Sequence, residues 1–236
     1  MIGEYTPGKT RATLAAMWPD MVAAPAGGPD APARPDAPVR PDAPVRPAQM
    51  CPGCGHRSAF HAIRKALAAD DIAVADIGCH TLGYLPPSEV GQLLMCMGAS
   101  TGIASGLRLF NEQRKVVCFL GDPTFFHAGI PGVVNALFNR HPVVLVLMEN
   151  GTTAMTGHQE LPSSGRNFAG PTDAIPVRKV LEGLGVKNIE EVDAYQQAEL
   201  TAMVKKALAR DELSVIIATH PCMLKLTHER RRKGEG

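Results

Sequence analysis

From Gln49 onward, apolar residues gather in short, nearly continuous runs separated by amphipathic stretches. Four runs, at 72–77, 116–120, 143–148 and 213–218, are rich in β-branched residues. A continuous apolar run, rather than an alternating one, marks a strand buried on both faces. Between these runs lie helical patterns over 57–69, 99–111, 130–139, 174–184 and 194–210. Alternation of this kind predicts an α/β fold, a parallel sheet with helices on both faces. Ligands of such sheets sit outside the carboxyl ends of the strands, so the loops that follow the strands are where chemistry is expected.

The pattern before residue 48 is different. Residues 29–34 read Pro-Asp-Ala-Pro-Ala-Arg, and 35–40 and 41–46 both read Pro-Asp-Ala-Pro-Val-Arg. Proline at every second or third position removes amide donors and favours polyproline II over any packed core. Residues 25–47 are therefore read as a semi-rigid linker. It separates a short helical segment within 1–24, with Pro7 suited to a first turn, from a main domain over 48–228. The remaining 229–236 form a basic tail, expected to be solvated or, in a sharper reading, to steer an acidic partner by charge.

Charge and composition narrow the function. A formal net charge of +1 over 236 residues does not suit a general phosphate-backbone binder, so no nucleic-acid partner is expected. No apolar run reaches the roughly 18 residues of a membrane helix, so no membrane association is expected. The first 21 residues carry Glu4, Lys9, Arg11 and Asp20 and no apolar core, unlike a signal peptide. A cytoplasmic location follows as the expectation. Six cysteines in such a chain are expected to be reduced, buried or metal-binding rather than a disulfide scaffold.

Two strand-end loops stand out. The second run is followed by Gly121-Asp122-Pro123-Thr124, and the third by Glu149-Asn150-Gly151-Thr152-Thr153. Asn150 lies 28 residues after Asp122, one strand–helix–strand crossover later. A carboxylate and an amide oxygen on adjacent strand ends are suited to share a hard cation that takes its other ligands from a diphosphate and water. The bland alternative, a helix cap and a turn, would suffice for either loop alone. Cys51 and Cys54 form a C-x2-C pair, Cys79 ends the first run, and Cys222 follows the last. Four thiolates meeting at one edge of a sheet would suit zinc or an iron–sulfur cluster equally. Cys118, inside a run, is read as a small core residue; Cys96 adjoins the Met97-Gly98 loop. Gly98, Gly102 and Gly106 recur at helical spacing, which predicts close helix packing. His80, His127 and His158 fall in the ligand-facing loops and are candidate substrate or cofactor contacts. His56, His61, His141 and His228 are read as helix or surface residues.

The Gly121-Asp122 … Asn150 arrangement resembles the thiamine-diphosphate motif, with Pro123 in place of the third glycine and Glu149 in place of the first asparagine. Met155-Thr156-Gly157-His158-Gln159 is similar to the Met-Thr-Gly-Gly-Gln segment of 2-oxoacid:ferredoxin oxidoreductases. The segments 76–83, 85–87, 96–100, 121–130 and 152–159 look like the thiamine-diphosphate domain of indolepyruvate ferredoxin oxidoreductase, and the resemblance covers roughly 48–226.

This resemblance implies a thiamine-diphosphate-binding fold and the oxidative decarboxylation of a 2-oxoacid, indolepyruvate or another arylpyruvate. The product would be an acyl-coenzyme A, with electrons passed to ferredoxin. It implies Mg²⁺ on Asp122, Asn150 and the Thr152 carbonyl, and a [4Fe–4S] cluster on Cys51, Cys54, Cys79 and Cys222. Gly78, Met97, Gly98, Gly121, Asp122, Thr124, Asn150, Thr152, Met155 and Gly157 would surround the cofactor. The family also needs a pyrimidine-binding domain, for which this chain has no room. A hetero-oligomer with pyrimidine-domain and gamma-type partner subunits, and a ferredoxin or ferredoxin-like subunit, is expected. Two other readings remain: a subunit of a non-oxidative thiamine-dependent decarboxylase of the sulfopyruvate type, and a C-x2-C zinc-binding interaction module.

Overall fold

Alternate residues of the central strands feed two different cores. Val117, Phe119, Val144, Val146, Met148, Ile216 and Ala218 face one cluster, and Val116, Cys118, Leu120, Leu145, Leu147, Val215 and Ile217 face the other. This is the physical content of the continuous apolar runs, since period-two side chains that are apolar at every position need a partner layer on each side. The computed structural model describes residues 14–17, 19–20 and 48–234, in two units, Met1–Pro47 and Ala48–Gly236. In the first unit a helical turn at 14–17 and a turn at 19–20 are described. The remainder of the expected N-terminal helix and the proline-rich linker lie outside the described residues.

In the second unit, five parallel strands stand in the order β1-β2-β3-β7-β6. They are β1 (Ile72–Val74), β2 (Val116–Gly121), β3 (Val144–Glu149), β6 (Asn188–Asp193) and β7 (Ser214–Thr219), with a two-residue antiparallel pair, β4 (Arg166–Asn167) and β5 (Gly170–Pro171), outside the sheet. The helices are α1 (Gly55–Ala66), α2 (Ala99–Phe110), α3 (Ile130–Phe138), α4 (Val177–Gly183), α5 (Gln197–Leu208) and α6 (Met223–Lys233). Residues of α1 and α5 pack in the first core, and residues of α2, α3 and α4 in the second. The helices thus lie on both faces, as the alternation predicts. Full burial of Phe60, Phe119, Leu145, Leu181 and Ile216 contributes about 1.5–3 kcal/mol for each side chain. No helix among the described residues is long and apolar enough to cross a membrane.

Three features depart from the sequence reading. The first is β6, which the sequence reading leaves unassigned because Asn-Ile-Glu-Glu-Val-Asp looks too polar for a strand. It lies at the sheet edge, and its two glutamates point to partners on different helices. Glu190 pairs with Lys206 at 3.1 Å and Arg210 at 3.2 Å, while Glu191 pairs with Arg178 at 3.0 Å. Charged residues on an edge strand also discourage pairing with other chains. The second is the basic tail, whose first residues are helical. Helix α6 runs through the 228/229 boundary to Lys233. The third is the glycine spacing. A Cβ on Gly102 or Gly106 would meet open space, whereas one on Gly132 would come within 1.9 Å of Thr101 Oγ1. The close approach of α2 and α3 therefore depends on Gly132 of α3 and not on Gly102 or Gly106; of the glycine row only Gly98 is tightly packed, where a Cβ would come within 2.4 Å of the Ala128 Cβ.

Candidate functional site

Four of the five strand ends contribute a loop to one region, and buried carboxylates tie those loops together. Asp76, which follows β1, is fully buried. Its Oδ1 accepts the backbone N–H of Ile77 at 2.7 Å and of Gly98 at 2.7 Å, and its Oδ2 accepts that of Ser100 at 2.9 Å. Gly98 and Ser100 flank the start of α2, so Asp76 caps a helix that begins more than 20 residues away. The next loop is held to the first by the Thr124 hydroxyl, which donates to the Ile77 carbonyl at 3.3 Å.

Asp122 does the same for the second and third loops. Its Oδ2 accepts the backbone N–H groups of Asn150 at 3.2 Å and Gly151 at 2.8 Å. Its Oδ1 is buried with no hydrogen-bond partner. Burial pushes the carboxyl up to about 7, against the pull of those two N–H groups. A fully buried carboxylate with one bare oxygen is costly unless a positive group meets it. Asn150 holds its own turn by accepting the Thr152 N–H on Oδ1 at 2.9 Å, and Thr152 is buried. Pro123 falls in the first turn of a helical stretch opened by Asp122–Thr124, where an amide would have no partner within the helix. That stretch continues through a π-helical segment, Phe125–Gly129, into α3. Irregularities of this kind are frequent at functional sites. His127 lies in this segment and is exposed.

The four candidate cysteines come together. Cys51, Cys54, Cys79 and Cys222 all line one cavity of about 270 Å³, with Asn150, Met155, His158 and His220. The glycine after Cys54 makes this possible, because a Cβ on Gly55 would come within 2.6 Å of the His220 Cβ. The start of α1 thereby seats directly against the end of β7. Burial pushes the Cys79 thiol up to about 11, and the nearby Cys54, Cys222 and Cys51 add to the shift. Cys54 is raised in the same way, by burial first and then by Cys51 and Cys222. Four thiolates in this cavity would repel one another, so the ionised set needs a cationic centre. Among the described residues no three His, Cys, Asp or Glu are grouped to hold a single ion. The void is also far larger than one ion, being several times the roughly 30 Å³ share of a water molecule. Four convergent thiols in one cavity suit zinc and an iron–sulfur cluster alike. Cys118 is buried in β2 and Cys96 is exposed, both outside this cavity.

The two groups of residues are contiguous. The backbone N–H of Cys222 donates to the Asn150 carbonyl at 3.1 Å, and that of His220 donates to the Glu149 carbonyl at 2.9 Å. Glu149 is itself pushed up by burial and by the Glu191 charge. His80, next to Cys79, is buried with Nε2 unpartnered, and burial lowers it to about 4. It is a neutral imidazole at physiological pH. Its ring stacks on that of His56 with centroids 6.2 Å apart, and lies within 3.4 Å of where a Gly121 Cβ would stand.

His56 is a helix residue, as the sequence reading has it, and its burial is what the structure adds. It sits 3.4 Å from Cys54 Sγ and is lowered by burial to about 3. A single residue on an apolar helix face gave no sign of this. His158 faces the thiol cavity, where its ring meets that of His228 edge-on at 6.4 Å. It adopts φ +63°, a left-handed backbone that costs a non-glycine residue about 1 kcal/mol or more and that glycine adopts freely. This accounts for the glycine in the similar Met-Thr-Gly-Gly-Gln segment. Met155 lines the same cavity, and Gly78, Met97 and Gly157 fall in the loops that frame the two groups.

Known proteins are similar to this chain in sequence and in fold. The indolepyruvate oxidoreductase subunit IorA of Archaeoglobus fulgidus is 40% identical over 190 residues, 79% of this chain and 30% of that subunit. The 2-oxoglutarate synthase subunit KorB of Methanothermobacter marburgensis is 25% identical over 188 residues, 73% of this chain and 65% of that subunit. This chain therefore spans roughly 30% of the length of the indolepyruvate oxidoreductase subunit that it matches. A solved structure, the 2-oxoglutarate:ferredoxin oxidoreductase from Magnetococcus marinus with 2-oxoglutarate, coenzyme A and succinyl-CoA bound, has the same fold. It aligns with a TM-score of 0.68 and 20% identity over 75% of this chain and 65% of that one. Residues 76–218, from the aspartate that caps α2 to the last turn of the sheet, match the family described as thiamine pyrophosphate enzyme, C-terminal TPP binding domain, and the chain belongs to that family.

Proposed function

We propose that this chain is the thiamine-diphosphate-binding component of a 2-oxoacid:acceptor oxidoreductase of the arylpyruvate type, with two prosthetic sites side by side. Asp122, Asn150 and the Thr152 carbonyl would hold Mg²⁺ against the diphosphate, and Cys51, Cys54, Cys79 and Cys222 would hold a [4Fe–4S] cluster. The observation that carries this reading is the shared wall. Asn150 belongs to the cation loop, lines the thiol cavity, and receives the Cys222 N–H. A non-oxidative decarboxylase would use the first site and leave the four convergent thiols without a task. A zinc module would leave the bare oxygen of Asp122 unexplained.

When bound, thiamine diphosphate supplies the electron sink for decarboxylation. The chain's own residues have separable duties. Asp122 offers its unpaired Oδ1 to the cation while the two N–H groups on Oδ2 fix its orientation. Asp76 and Thr124 hold the flanking loops in register. Neutral His80 presents a buried nitrogen beside Gly121 without adding charge to the site. The four thiols would hold the group through which electrons leave one at a time. In balance, one 2-oxoacid and one coenzyme A give an acyl-coenzyme A, carbon dioxide and a proton, and two one-electron acceptors are reduced. A partner chain would supply the pyrimidine-binding domain and its glutamate.

Cation loading tests the first site. Asp122 must be ionised to bind Mg²⁺, and its carboxyl is raised to about 7. The direction is set by linkage: the cation-free fold favours the protonated acid and loses that preference as pH rises from the ordinary carboxylate value through about 7. Affinity for Mg²⁺ with thiamine diphosphate should therefore fall about tenfold per pH unit below about 7 and be level above it. Calorimetric titration across that range would show this slope, and a flat profile would contradict the assignment of Asp122.

A further inference from the structure

A second concave surface adjoins the thiol cavity on its outer side. It is an open groove of about 1000 Å³ whose walls include Cys54, Arg57, His61, Arg64, Lys65 and Tyr195. Cys54 lines both this groove and the cavity. Tyr195 donates its hydroxyl to the Gly53 carbonyl at 2.6 Å and stacks on His220 with ring centroids 3.8 Å apart, and His220 lines the cavity. The two spaces are thus separated by a single layer of side chains.

The groove is basic. Arg57, His61, Arg64 and Lys65 recur along one side of α1, all exposed, and no Asp or Glu is among the residues that line the groove. Arg64 pairs with Glu89 at 3.4 Å and donates to the Pro87 and Ser88 carbonyls at 2.6 and 3.1 Å. Arg57 and Lys65 have no acidic partner among the described residues. Eight residues of helix separate them, about 12 Å. That spread exceeds the reach of one phosphate and matches carboxylates distributed over a protein surface.

We propose that this groove is the docking face for a small acidic electron-carrier protein, held by Arg57, Arg64 and Lys65 directly outside Cys54. The proposal rests on the four thiols being the electron exit. Complementary charge at that point raises encounter rates and orients the carrier, and it weakens with salt because the groups are exposed. The charge of the α6 tail is not required.

The test uses the full chain, purified anaerobically, and an acidic [4Fe–4S] ferredoxin as the probe, with binding followed by surface plasmon resonance at several ionic strengths. The double variant R57E/K65E should weaken binding at least tenfold at low salt and flatten its salt dependence. R57K/K65R, which keeps the charge, should bind as wild type does, and R230E/R231E in the tail should do the same. Unchanged affinity in R57E/K65E overturns the proposal, as does loss of binding in the tail variant alone. The iron content of the same preparations reports the cluster separately, so failure of the electron-exit reading and failure of docking are distinct results.

Discussion

Asp122→Asn is expected to give a chain that is more stable than wild type without cofactor and that fails to load it. The substitution keeps the shape and an acceptor oxygen for the Asn150 and Gly151 N–H groups. It removes the charge and the bare Oδ1, which burial holds at a raised pKa of about 7. Raising the carboxyl from its ordinary value to about 7 corresponds to a cost on the order of 4 kcal/mol for the ionised, cation-free site. Part of that amount should return as stability in the variant above neutral pH, read as a higher midpoint in chemical denaturation, because the buried amide Nδ2 that replaces Oδ1 also lacks a partner and costs about 1–3 kcal/mol. Even residues that only orient a metal ligand cost about 10–100-fold in affinity when replaced, so loss of the ligand itself should exceed about 100-fold. A merely structural aspartate would give the opposite sign for stability. Greater stability with lost function is the pattern expected of a strained binding site.

Cys79→Ala is expected to remove the electron exit and leave the cofactor site standing. Cys79 is half-buried, faces the three other thiols, and lies next to the neutral His80. A cubane left with three of its four thiolates has one open, labile iron. Iron content should fall and the electronic spectrum should change, and 2-oxoacid-dependent reduction of ferredoxin or a viologen dye by the assembled complex should fall with them. Thiamine-diphosphate binding should stay within a few-fold of wild type, because Asp122, Asn150 and Thr152 are untouched. Cys118→Ala is the control. It lies inside β2 in the second core, so it should retain iron and lose only some stability. Loss of iron in that variant, or four irons with an unaltered electronic spectrum in Cys79→Ala, would show that the cluster is held elsewhere.

What the sequence reveals and what it hides divide along a physical line. The four buried strands were legible because each is apolar at nearly every position, and a strand walled on both faces needs that. Asp122 and Asn150 were legible because parallel strands joined by one crossover place their ends side by side. Cys79 and Cys222 were legible as candidates because each follows a strand, and Cys51 and Cys54 joined them as a set through the family resemblance. β6 was hidden because its glutamates are satisfied by Lys206, Arg210 and Arg178, partners from other helices. The role of Asp76 was hidden for the same reason. A cap whose helix begins more than 20 residues downstream leaves no local signature. The burial of His56 against His80 depends on how α1 meets the loop after β1, which no pattern within α1 records. Position 158 was the most informative departure. A histidine at φ +63°, where the similar segment carries glycine, shows that this turn is fixed by its surroundings rather than by its own residue.

The contact between Asn150 and Cys222 makes the cofactor loop and the thiol cavity one continuous structure. The most direct test of two adjoining prosthetic sites is the metal and cofactor content of the chain in its assembled complex, purified anaerobically with thiamine diphosphate and Mg²⁺ supplied. Four irons and four sulfides for each thiamine diphosphate are expected, with the iron depleted in Cys79→Ala and the thiamine absent in Asp122→Asn. Zinc in place of iron, or thiamine diphosphate bound with neither iron nor sulfide, would contradict it.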